Sequence, residues 1–527
     1  MNGIDWTILV AYLVGMVGLS AFLGRGQESQ DDYYVGGRNL PWWAVGISTM
    51  ATQTSAISFI SIPAFVALKP GGGMTWLQYE LAVPLAMIAV MVLLLPHFRK
   101  LELISVYEYL EMRFDLPTRL LLSGVFLLSR GLGTGVGVYA SALVLSVCLG
   151  LSLSWTIILI GVVTVIYDML GGMAAVVWSD VIQMVVLIFG LLTCIAFAAD
   201  MSGGFGAMLA AFPAERAVAL DMSTGLGDGS STPFWGFLVG GFFLYVSYYG
   251  VDQSQAQREL SAPTEKDTRQ AIVFNGFARF PLTCLYLGMG IALGAAFAAT
   301  PELQAAVPAD ELDKLVPVFV LNHLPTGVRA LLFAALLAAA MSSLDSALNS
   351  LSAATMRDFL ERLGGMKPEK MLFWSRVTTL GWGVAVIGFA FLVGGISDTV
   401  IEGINKVGSA FYGPILAVFT AGLLWKRATG PGVIVGCLAG VGFNCAMWLG
   451  APEVYWMWWN LFGLVVALVV GLGVSLLTKR PEPSDELVLS FAGLVEQERP
   501  WMKTHAMLVA YFLVILGLAA AAPVLLG

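Results

Sequence analysis

Four oxygen-bearing side chains share one face of a predicted helix near residue 345. At spacings of i, i+3, i+4 and i+7 they are Ser342, Asp345, Ser346 and Asn349. Residues at these spacings project from the same side of a helix, and hard cations prefer oxygen ligands. A carboxylate inside an apolar helix is costly and is by default a functional hypothesis. The pattern therefore favours a cation site over a structural polar seam.

A second polar run interrupts an apolar stretch at residues 46–58, GISTMATQTSAIS. Ser and Thr side chains hydrogen-bond to nearby backbone and loosen a helix. At membrane depth, non-helical backbone is tolerated only where it lines a cavity or packs against protein. A helix broken here would free carbonyl oxygens that can coordinate Na⁺, and its half-helix ends would add favourable dipoles. A Ser/Thr-rich contact between two helices is the structural alternative, and the residues alone leave both open.

A third polar feature is Asp180, which stands in the apolar stretch 175–199. It lies one or two turns inside the end of this stretch, so a carboxylate solvated at the membrane surface is one interpretation. If Asp180 lies near Asp345 instead, the two carboxylates would either hold a cation between them or force one of them to take up a proton. Both outcomes bear on transport.

Two arginines, Arg130 and Arg279, also lie within apolar segments. Ionisable groups in a membrane pair with one another or mark a substrate path. Either arginine could receive an anionic substrate, and either could instead neutralise Glu80, Asp180 or Asp345. Glu80 could contact substrate or face external water. Its polar neighbours in the sequence are Gln78 and Tyr79.

These residues belong to a chain whose composition is typical of a membrane protein. Of 527 residues, 58% are hydrophobic and 12% charged, and the mean hydropathy is +0.82, whereas a soluble domain is about 25% charged. A helix needs about 20 apolar residues to cross a membrane. The sequence predicts an all-α polytopic membrane protein with about fourteen spans. Spans 1 to 14 are 5–24, 42–67, 75–97, 121–149, 153–170, 175–199, 234–251, 270–298, 328–356, 372–394, 398–424, 430–449, 455–477 and 505–526.

The basic residues predict the orientation of these spans. If the N-terminus is outside, the loops after the odd-numbered spans hold nineteen of the 27 Lys and Arg residues, and cytoplasmic loops are enriched in these residues. Among the residues counted there is Arg258. We expect both termini to be extracytoplasmic, in a bacterial inner membrane. No basic arm indicates nucleic acid, and no obligatory protein partner is predicted.

The same features exclude other classes of protein. The sequence contains no evident nucleophile–base pair or metal cluster, so it does not predict an enzyme. A channel needs a continuous polar pore, whereas these polar residues are sparse and clustered. The loops are too short for a soluble signalling domain, so a transporter-like membrane sensor would need a separate partner. A transporter is the interpretation favoured by the residues.

Five motifs together resemble the sodium:solute symporter family. They are DDYYVGGR at 31–38, SVYEYLEMRFD at 105–115, GGMAAVVWSD at 171–180, DQSQAQR at 252–258 and the polar run 342–349. The resemblance covers nearly the whole chain and implies the LeuT-like fold, an inverted repeat of five plus five helices. The repeats would be residues 42–199 and 234–424, flanked by 5–24, 430–449, 455–477 and 505–526. The sequence itself does not display the repeat.

The resemblance also implies where Na⁺, the expected coupling ion, binds. The principal site uses backbone carbonyls of the broken helix and hydroxyls of the eighth core helix. By motif match, its residues are Ala51, Thr54, Ala339, Ser342 and Ser343. Members with a second Na⁺ use residues that match Asp180, Ser342, Asp345 and Ser346. This chain departs from the pattern because Asp345 stands where the family has serine, which implies altered affinity or proton coupling.

Residues 51–63 resemble most the bacterial sialic acid symporters, in which positions matching Gln53, Ser55, Ser58 and Gln78 touch the ligand. The arginine that grips the carboxylate there aligns with Gly133, one turn after Arg130. Arg279 matches a substrate-contacting lysine of sugar symporters, and residues 107–114 also resemble the iodide, multivitamin and monocarboxylate branch. Further substrate candidates are Tyr79, Glu80, Arg130, Tyr249 and Arg279. Tyr79, Tyr248 and Tyr249 would gate the pocket, or lie at the membrane interface as aromatic rings commonly do.

The expected mechanism is alternating access. Na⁺ enters from outside and binds between span 2 and span 9. Its binding completes a substrate pocket between spans 2, 3, 4, 7 and 8. The expected function is Na⁺-coupled import of a small polar solute, with an organic anion such as sialic acid as the first candidate. Sugars, monocarboxylates and vitamins are the alternatives within the family, and a membrane sensor is the alternative outside it.

Overall fold

The computed structural model of the protein describes residues 2–227, 232–364, 367–393, 400–478 and 483–526. Helices dominate these residues, and no β-strand occurs among them, so the predicted all-α architecture is confirmed. The helices within the predicted spans are Gly3–Leu23, Trp42–Thr52, Ala56–Ala67, Gln78–Leu81, Val83–Leu93, Leu116–Leu149, Leu153–Met201, Gly241–Val251, Glu265–Ala299, Val328–Ala354, Met371–Val393, Val400–Leu424, Gly430–Gly450, Trp459–Leu477 and Met502–Leu526. The predicted boundaries at residues 394 and 398 lie outside the described residues.

Shorter helices fill the connections between spans. In chain order they include Gln30–Val35, Leu95–Lys100, Glu108–Arg113, Phe205–Ala210, Gln253–Glu259, Pro301–Ala306, Leu315–His323 and Phe491–Glu498. Two of the long helices begin where a polar side chain caps the first turn. Asp115 accepts a hydrogen bond from the Thr118 amide at the start of span 4, and Thr264 accepts one from the Asp267 amide before span 8. These caps lie before the predicted starts, so both helices extend beyond their apolar cores.

The number of spans stays a prediction. Among the described residues, eleven helices are long and apolar enough to cross a membrane, or up to twelve if a bent pair in span 2 forms one span. Helix Leu153–Met201 contains both predicted spans 5 and 6, and helix Gly236–Val251 is short for a span. At Gly172 the backbone leaves the helical conformation, with φ 55° and ψ −151°. Glycine adopts positive φ at little cost, and a side chain here would collide with Tyr33.

Span 2 is broken, as its polar run predicts. Its halves, Trp42–Thr52 and Ala56–Ala67, are bent by 61°. The Ser55 hydroxyl caps the second half by accepting a hydrogen bond from the Ser58 amide at 3.3 Å. The Thr54 amide donates to the Ala51 carbonyl oxygen at 2.8 Å and closes the end of the first half. Hydrogen bonds from hydroxyl side chains therefore replace part of the helical ladder at the break.

Span 9 lies at the centre of the molecule. Every residue from Leu344 to Ala354 is buried. The helix is rich in Ala and Ser, and small side chains let membrane helices approach one another closely. Span 1, in contrast, is mostly exposed, as expected of a peripheral helix that faces lipid. The helices that pack against span 9 include Gly3–Leu23, Trp42–Thr52, Ala56–Ala67, Leu116–Leu149, Leu153–Met201, Gln253–Glu259 and Met371–Val393.

An ion-pair network holds the far end of span 9. The fully buried Asp358 carboxylate accepts hydrogen bonds from Arg119 Nε at 2.8 Å, Ser123 Oγ at 2.6 Å and Ser105 Oγ at 2.9 Å. Arg119 also pairs with Glu111 at 2.7 Å. Buried charges are tolerated when they are paired and hydrogen-bonded. The network therefore fastens the connector after span 3 to span 9.

We expect Asp358→Asn to destabilise the protein by about 1–3 kcal/mol, because Arg119 keeps its pair with Glu111 but the buried donors around position 358 lose their charged acceptor. Thermal and denaturant unfolding of the purified protein in detergent would measure this loss. Asp485→Asn is the matched control, since Asp485 pairs with Lys426 on the exposed surface and such pairs contribute little. Equal stability of the two variants would contradict the assignment of Asp358 as a structural anchor.

Candidate cation and substrate sites

A cavity of about 350 Å³ lies between spans 2, 3, 4, 7, 8, 9 and 11. This volume is typical of a small-molecule pocket. The sequence predicted spans 2, 3, 4, 7 and 8 around this cavity. The structure shows that spans 9 and 11 also line it. Its neutral polar lining is Thr52, Gln53, Ser55, Ser58, Ser61, Ser129, Thr134, Ser141, Ser247 and Ser343. Its principal aromatic residues are Trp76, Tyr79, Tyr107, Phe126, Tyr245, Tyr248, Phe411 and Tyr412. Hydroxyls beside aromatic faces suit a small polar organic molecule.

Seven of the nine predicted substrate residues line this cavity. They are Gln53, Ser55, Ser58, Tyr79, Glu80, Arg130 and Arg279. Gln53 and Ser55 lie at the break of span 2, where the change of helix direction turns polar side chains toward the cavity. Tyr79 stacks on Trp76, with ring centroids 5.4 Å apart, so an aromatic wall adjoins this polar edge.

The two other predicted substrate residues do not line the cavity. Gln78 is fully buried, and its amide nitrogen donates to the Thr232 carbonyl at 2.8 Å while its oxygen accepts from the Asp221 amide at 3.0 Å. Gln78 therefore anchors an extramembrane loop. Tyr249 packs edge-to-face on Tyr248, and Tyr248 lines the cavity in its place. Neighbouring residues of a helix project from different sides. The prediction of Tyr249 instead of Tyr248 therefore placed the tyrosine on the wrong face of span 7.

Arg279 and Glu80 form a buried, bidentate ion pair within the cavity wall. Arg279 Nη2 donates to Glu80 Oε1 at 2.6 Å, and Arg279 Nε donates to Glu80 Oε2 at 3.2 Å. Bidentate pairs of this kind are strong and fix orientation. Of the alternatives that the sequence left open for Arg279, neutralisation of Glu80 is the one in the structure.

Arg130 pairs with Asp252 and stacks on an aromatic ring. Its Nη2 lies 3.3 Å from Asp252 Oδ1 and donates to Ser254 Oγ. The guanidinium lies 5.5 Å from the Tyr248 ring centroid, a cation–π distance. Asp252 opens the DQSQAQR motif, which carried the family resemblance but was assigned to a loop. The sequence signal that could have identified Asp252 is its position directly after the apolar stretch 234–251.

The residues expected at the principal Na⁺ site converge at the break of span 2. Ser342 Oγ lies 3.2 Å from the Ala339 carbonyl oxygen and 3.5 Å from that of Ala51. Ser343 Oγ donates to the Thr52 carbonyl oxygen at 3.2 Å. Thr54 lies at the same break, with its hydroxyl turned back to the Met50 carbonyl at 2.9 Å. Oxygens from both halves of the expected ligand set thus meet between spans 2 and 9.

The backbone explains why this point suits a cation. Helix Trp42–Thr52 ends here, and the last carbonyls of a helix lack helical partners. They also carry the negative end of the helix dipole. Together with the hydroxyls of Ser342 and Ser343, they provide neutral oxygen ligands whose dipoles can stabilise one positive charge.

The residues expected at a second cation site form a fully buried polar cluster. Asp180 Oδ2 accepts a hydrogen bond from Ser48 Oγ at 2.6 Å. Asp345 accepts hydrogen bonds from the Tyr167 hydroxyl and, at 3.1 Å, from Ser346 Oγ. Asp180 is therefore not a solvated carboxylate at the membrane surface. Spans 2, 5, 6 and 9 all contribute to the cluster.

Arg258 is the residue that the sequence interpretation misplaced. It was counted among cytoplasmic loop residues, but it is fully buried. Helix Gln253–Glu259 brings its guanidinium among the spans, where it donates to Thr52 Oγ1 and Ser346 Oγ and, at 3.1 Å, to the Ser48 carbonyl. Its Nη2 lies 3.8 Å from Asp180 Oδ2. A positive charge thus already lies between Asp180 and Ser346.

Comparison with known proteins identifies the family of the chain. Residues 33–440 match the model of the sodium:solute symporter family. The sodium/sialic acid symporter NanT of Aliivibrio fischeri is 28% identical over 496 residues, which cover 92% of this chain and 95% of that protein. The human sodium/iodide cotransporter is 30% identical over 455 residues, covering 85% and 70%. A solved structure of a substrate-bound, outward-open Na⁺-coupled sialic acid symporter superposes with a TM-score of 0.82 at 25% identity, covering 92% and 99%.

These similarities confirm the LeuT-like fold and the expected coupling to Na⁺, and they place the chain among transporters rather than enzymes. The chain belongs to the sodium:solute symporter family and is a Na⁺-coupled symporter.

Proposed function

We propose that this symporter imports a small organic anion, with sialic acid as the first candidate, across a bacterial inner membrane by alternating access. The observation that supports the coupling is that Ser343, an expected Na⁺ ligand, also lines the cavity and contacts Thr52 of the cavity wall. The contact joins the Ser343 hydroxyl to the Thr52 carbonyl beside the expected Na⁺ ligands. An ion that orders these residues also orders the cavity wall.

In this mechanism Na⁺ binds at Ala51, Thr54, Ala339, Ser342 and Ser343 and draws span 2 onto span 9. The second half of span 2 begins at Ser55, which lines the cavity with Ser58. The positive end of its helix dipole then favours the anionic group of the solute. Asp180, Asp345 and Ser346 are proposed to take part in coupling to a second cation, with Arg258 occupying the Ser346 side.

The number of Na⁺ ions determines the role of the membrane potential. One charge moved through 100 mV is worth about 2.3 kcal/mol. One Na⁺ carried with a monovalent anion moves no net charge, so only the Na⁺ gradient would drive uptake. A second Na⁺ would make transport electrogenic.

Arg130 is the proposed receptor for the anionic group. It lines the cavity, it holds Asp252 through one contact at 3.3 Å, and its Nε has no hydrogen-bond partner among the described residues. Arg279, in contrast, uses two nitrogens on Glu80. Arg130 also lies one turn from Gly133, the position expected to carry arginine in sialic acid symporters.

We expect Arg130→Gln to raise the KM for an anionic substrate roughly 10- to 150-fold, because hydrogen bonds to charged groups contribute about 1.5–3 kcal/mol. Radiolabelled uptake into proteoliposomes would measure the change. Arg130→Lys keeps the charge and serves as the matched control, with a smaller effect because lysine lacks the planar fork. An unchanged KM in Arg130→Gln would remove Arg130 from the substrate site.

A neutral sugar is the second candidate substrate, favoured by the balance of charge in the cavity. Arg130 and Arg279 are matched by Asp252 and Glu80, so the described lining has no net charge. Uptake should therefore be screened over sialic acids, neutral sugars, monocarboxylates and amino acids, with an inward Na⁺ gradient and with choline in its place. Na⁺-dependent uptake of a sialic acid supports the first proposal, and uptake of a neutral sugar alone supports the second. Binding of a solute that is indifferent to Na⁺ would contradict symport and favour a sensor.

The domain organisation proposed with this function is one transporter domain with core repeats at 42–199 and 234–424. Helices 5–24, 430–449, 455–477 and 505–526 flank the core, and both termini are extracytoplasmic. The excess of Lys and Arg in the loops after odd-numbered spans supports this orientation even though Arg258 is buried. Labelling of single cysteines introduced near each terminus with a membrane-impermeant reagent tests it, and labelling only after permeabilisation would reverse it.

A further inference from the structure

Buried polar atoms without partners gather between spans 1 and 6. Within the described part of the chain, the Tyr12 hydroxyl, Asp180 Oδ1 and both amide atoms of Gln183 make no hydrogen bond. Asp180 is fully buried and Gln183 is 2% exposed. Buried polar groups nearly always have a partner, and each exception needs an explanation such as an ion or an ordered water. Three unpartnered side chains in one place indicate a bound species.

The three side chains face one another. Asp180 and Gln183 are three residues apart on helix Leu153–Met201 and therefore share a face. Span 1 packs against this helix, and its Ser20 hydroxyl bonds to the Tyr167 carbonyl. The Tyr12 hydroxyl lies near Gln183 but makes no hydrogen bond of normal geometry to it. An oxygen-lined space is the result.

The charge around this space is unbalanced. Asp168, Asp180 and Asp345 are fully buried, and Arg258 is the cation that approaches Asp180. Its guanidinium lies on the Oδ2 side, which Ser48 also occupies. Asp180 Oδ1 has neither contact. Buried carboxylates in excess of their counter-ions must bind a further cation or take up protons.

We propose that one Na⁺ binds between Tyr12, Asp180 and Gln183, on the opposite side of the Asp180 carboxylate from Arg258. Its protein ligands are the Tyr12 hydroxyl oxygen, Asp180 Oδ1 and Gln183 Oε1, which are the hard oxygen donors that such a cation prefers. The location differs from the one expected from the family pattern, because Arg258 occupies the space beside Ser346. The proposal rests on the proposed function in one respect: this Na⁺ is carried in addition to the one at Ser342 and Ser343.

The site gives span 1 a role in transport. Span 1 lies outside the predicted repeat core, yet it supplies Tyr12. A Na⁺ shared with span 6 fastens this peripheral helix to the core while the ion is bound. With a monovalent anionic substrate, two Na⁺ ions move one net positive charge, so uptake responds to the membrane potential.

Na⁺ binding to the purified full-length protein, without substrate, tests the proposal. Isothermal titration with NaCl, and melting temperature in NaCl against choline chloride, would be compared for wild type, Tyr12→Phe and Gln183→Leu. We expect two Na⁺ ions per wild-type protein and one per variant, or at least a tenfold loss of affinity for one of them. Tyr33→Phe is the control, since it removes a buried tyrosine hydroxyl that bonds to Thr379 away from the site. Equal melting temperatures in choline would show that each variant folds.

The outcomes separate this proposal from the principal site. Loss of one ion in Tyr12→Phe and Gln183→Leu, with the other lost in Ser343→Ala, supports both. If Ser343→Ala leaves Na⁺ binding unchanged while Tyr12→Phe removes an ion, the principal site fails and this one stands. Wild-type Na⁺ binding in both Tyr12→Phe and Gln183→Leu, or a wild-type protein that binds one Na⁺ lost in Ser343→Ala alone, overturns the proposal. A change in pH dependence without a change in Na⁺ binding also overturns it, in favour of a proton.

Discussion

Replacing Ser343 by alanine is expected to weaken the apparent affinity for Na⁺ roughly 10- to 150-fold and to reduce Na⁺-driven uptake accordingly. The Ser343 hydroxyl lies 3.2 Å from the Thr52 carbonyl, where span 9 meets the end of the first half of span 2. A hydroxyl that binds a charged group contributes about 1.5–3 kcal/mol, and each 1.4 kcal/mol is tenfold in affinity. The Na⁺ dependence of initial uptake rates would measure the effect.

Ser350→Ala is the matched control for this prediction. Ser350 is also a buried serine of span 9, and its hydroxyl donates to the carbonyl of Ala347 in its own helix at 2.9 Å. The substitution removes the same atom without touching span 2. If both variants lost Na⁺ affinity equally, a general disturbance of span 9 would be the cause and the principal site would have to lie elsewhere.

Arg258→Met is expected to destabilise the protein by about 3–5 kcal/mol and to lower uptake to background. The substitution removes a fully buried guanidinium and leaves the Asp180 carboxylate without its counter-ion, which is costly in a low-dielectric interior. It also releases helix Gln253–Glu259 from span 2 and span 9, since Arg258 bonds to Thr52 and Ser346. Unfolding in detergent and uptake in proteoliposomes would be measured together.

A second substitution separates charge from packing in this prediction. Adding Asp180→Asn to Arg258→Met removes the uncompensated charge, so the double variant should regain part of the lost stability. Contacting pairs usually show coupling energies of about 0.5–3 kcal/mol. Arg258→Lys should be intermediate, because lysine keeps the charge but cannot reproduce the fork of hydrogen bonds. No coupling between positions 180 and 258 would mean that the 3.8 Å approach has no energetic role.

The sequence predicted those parts of the site in which local chemistry and position agree. The Ser and Thr residues at 48–58 conflict with an uninterrupted apolar helix, and span 2 breaks there. The face formed by Ser342, Asp345 and Ser346 follows from helical spacing alone, and the structure turns these side chains toward spans 2 and 5. In both cases neighbouring residues carry the information.

Other parts depended on tertiary packing that a hydropathy pattern does not encode. Helix Gln253–Glu259 is polar at every position except Ala256, so its sequence predicts a loop, yet all of its residues are buried. It is tolerated inside because its side chains bond to one another and to the spans, as Gln257 does to Asn349 at 2.7 Å. Gln78 does not line the substrate cavity because its side-chain amide bonds to the carbonyl of Thr232, which lies more than 150 residues later in the chain. Such partners become apparent only in three dimensions.

The connection at Gly172 limits how the transporter can move. Helix Leu153–Met201 passes from span 5 to span 6 through this one non-helical residue. A connection of one residue contains no flexible linker. The adjoining ends of spans 5 and 6 can therefore rotate about Gly172 but cannot separate. Spans 6 and 7, joined by a long connector, have no such restriction. If spans 5 and 6 move relative to each other during transport, the movement is a rotation about Gly172. Asp180, about two helical turns after Gly172, would move with span 6.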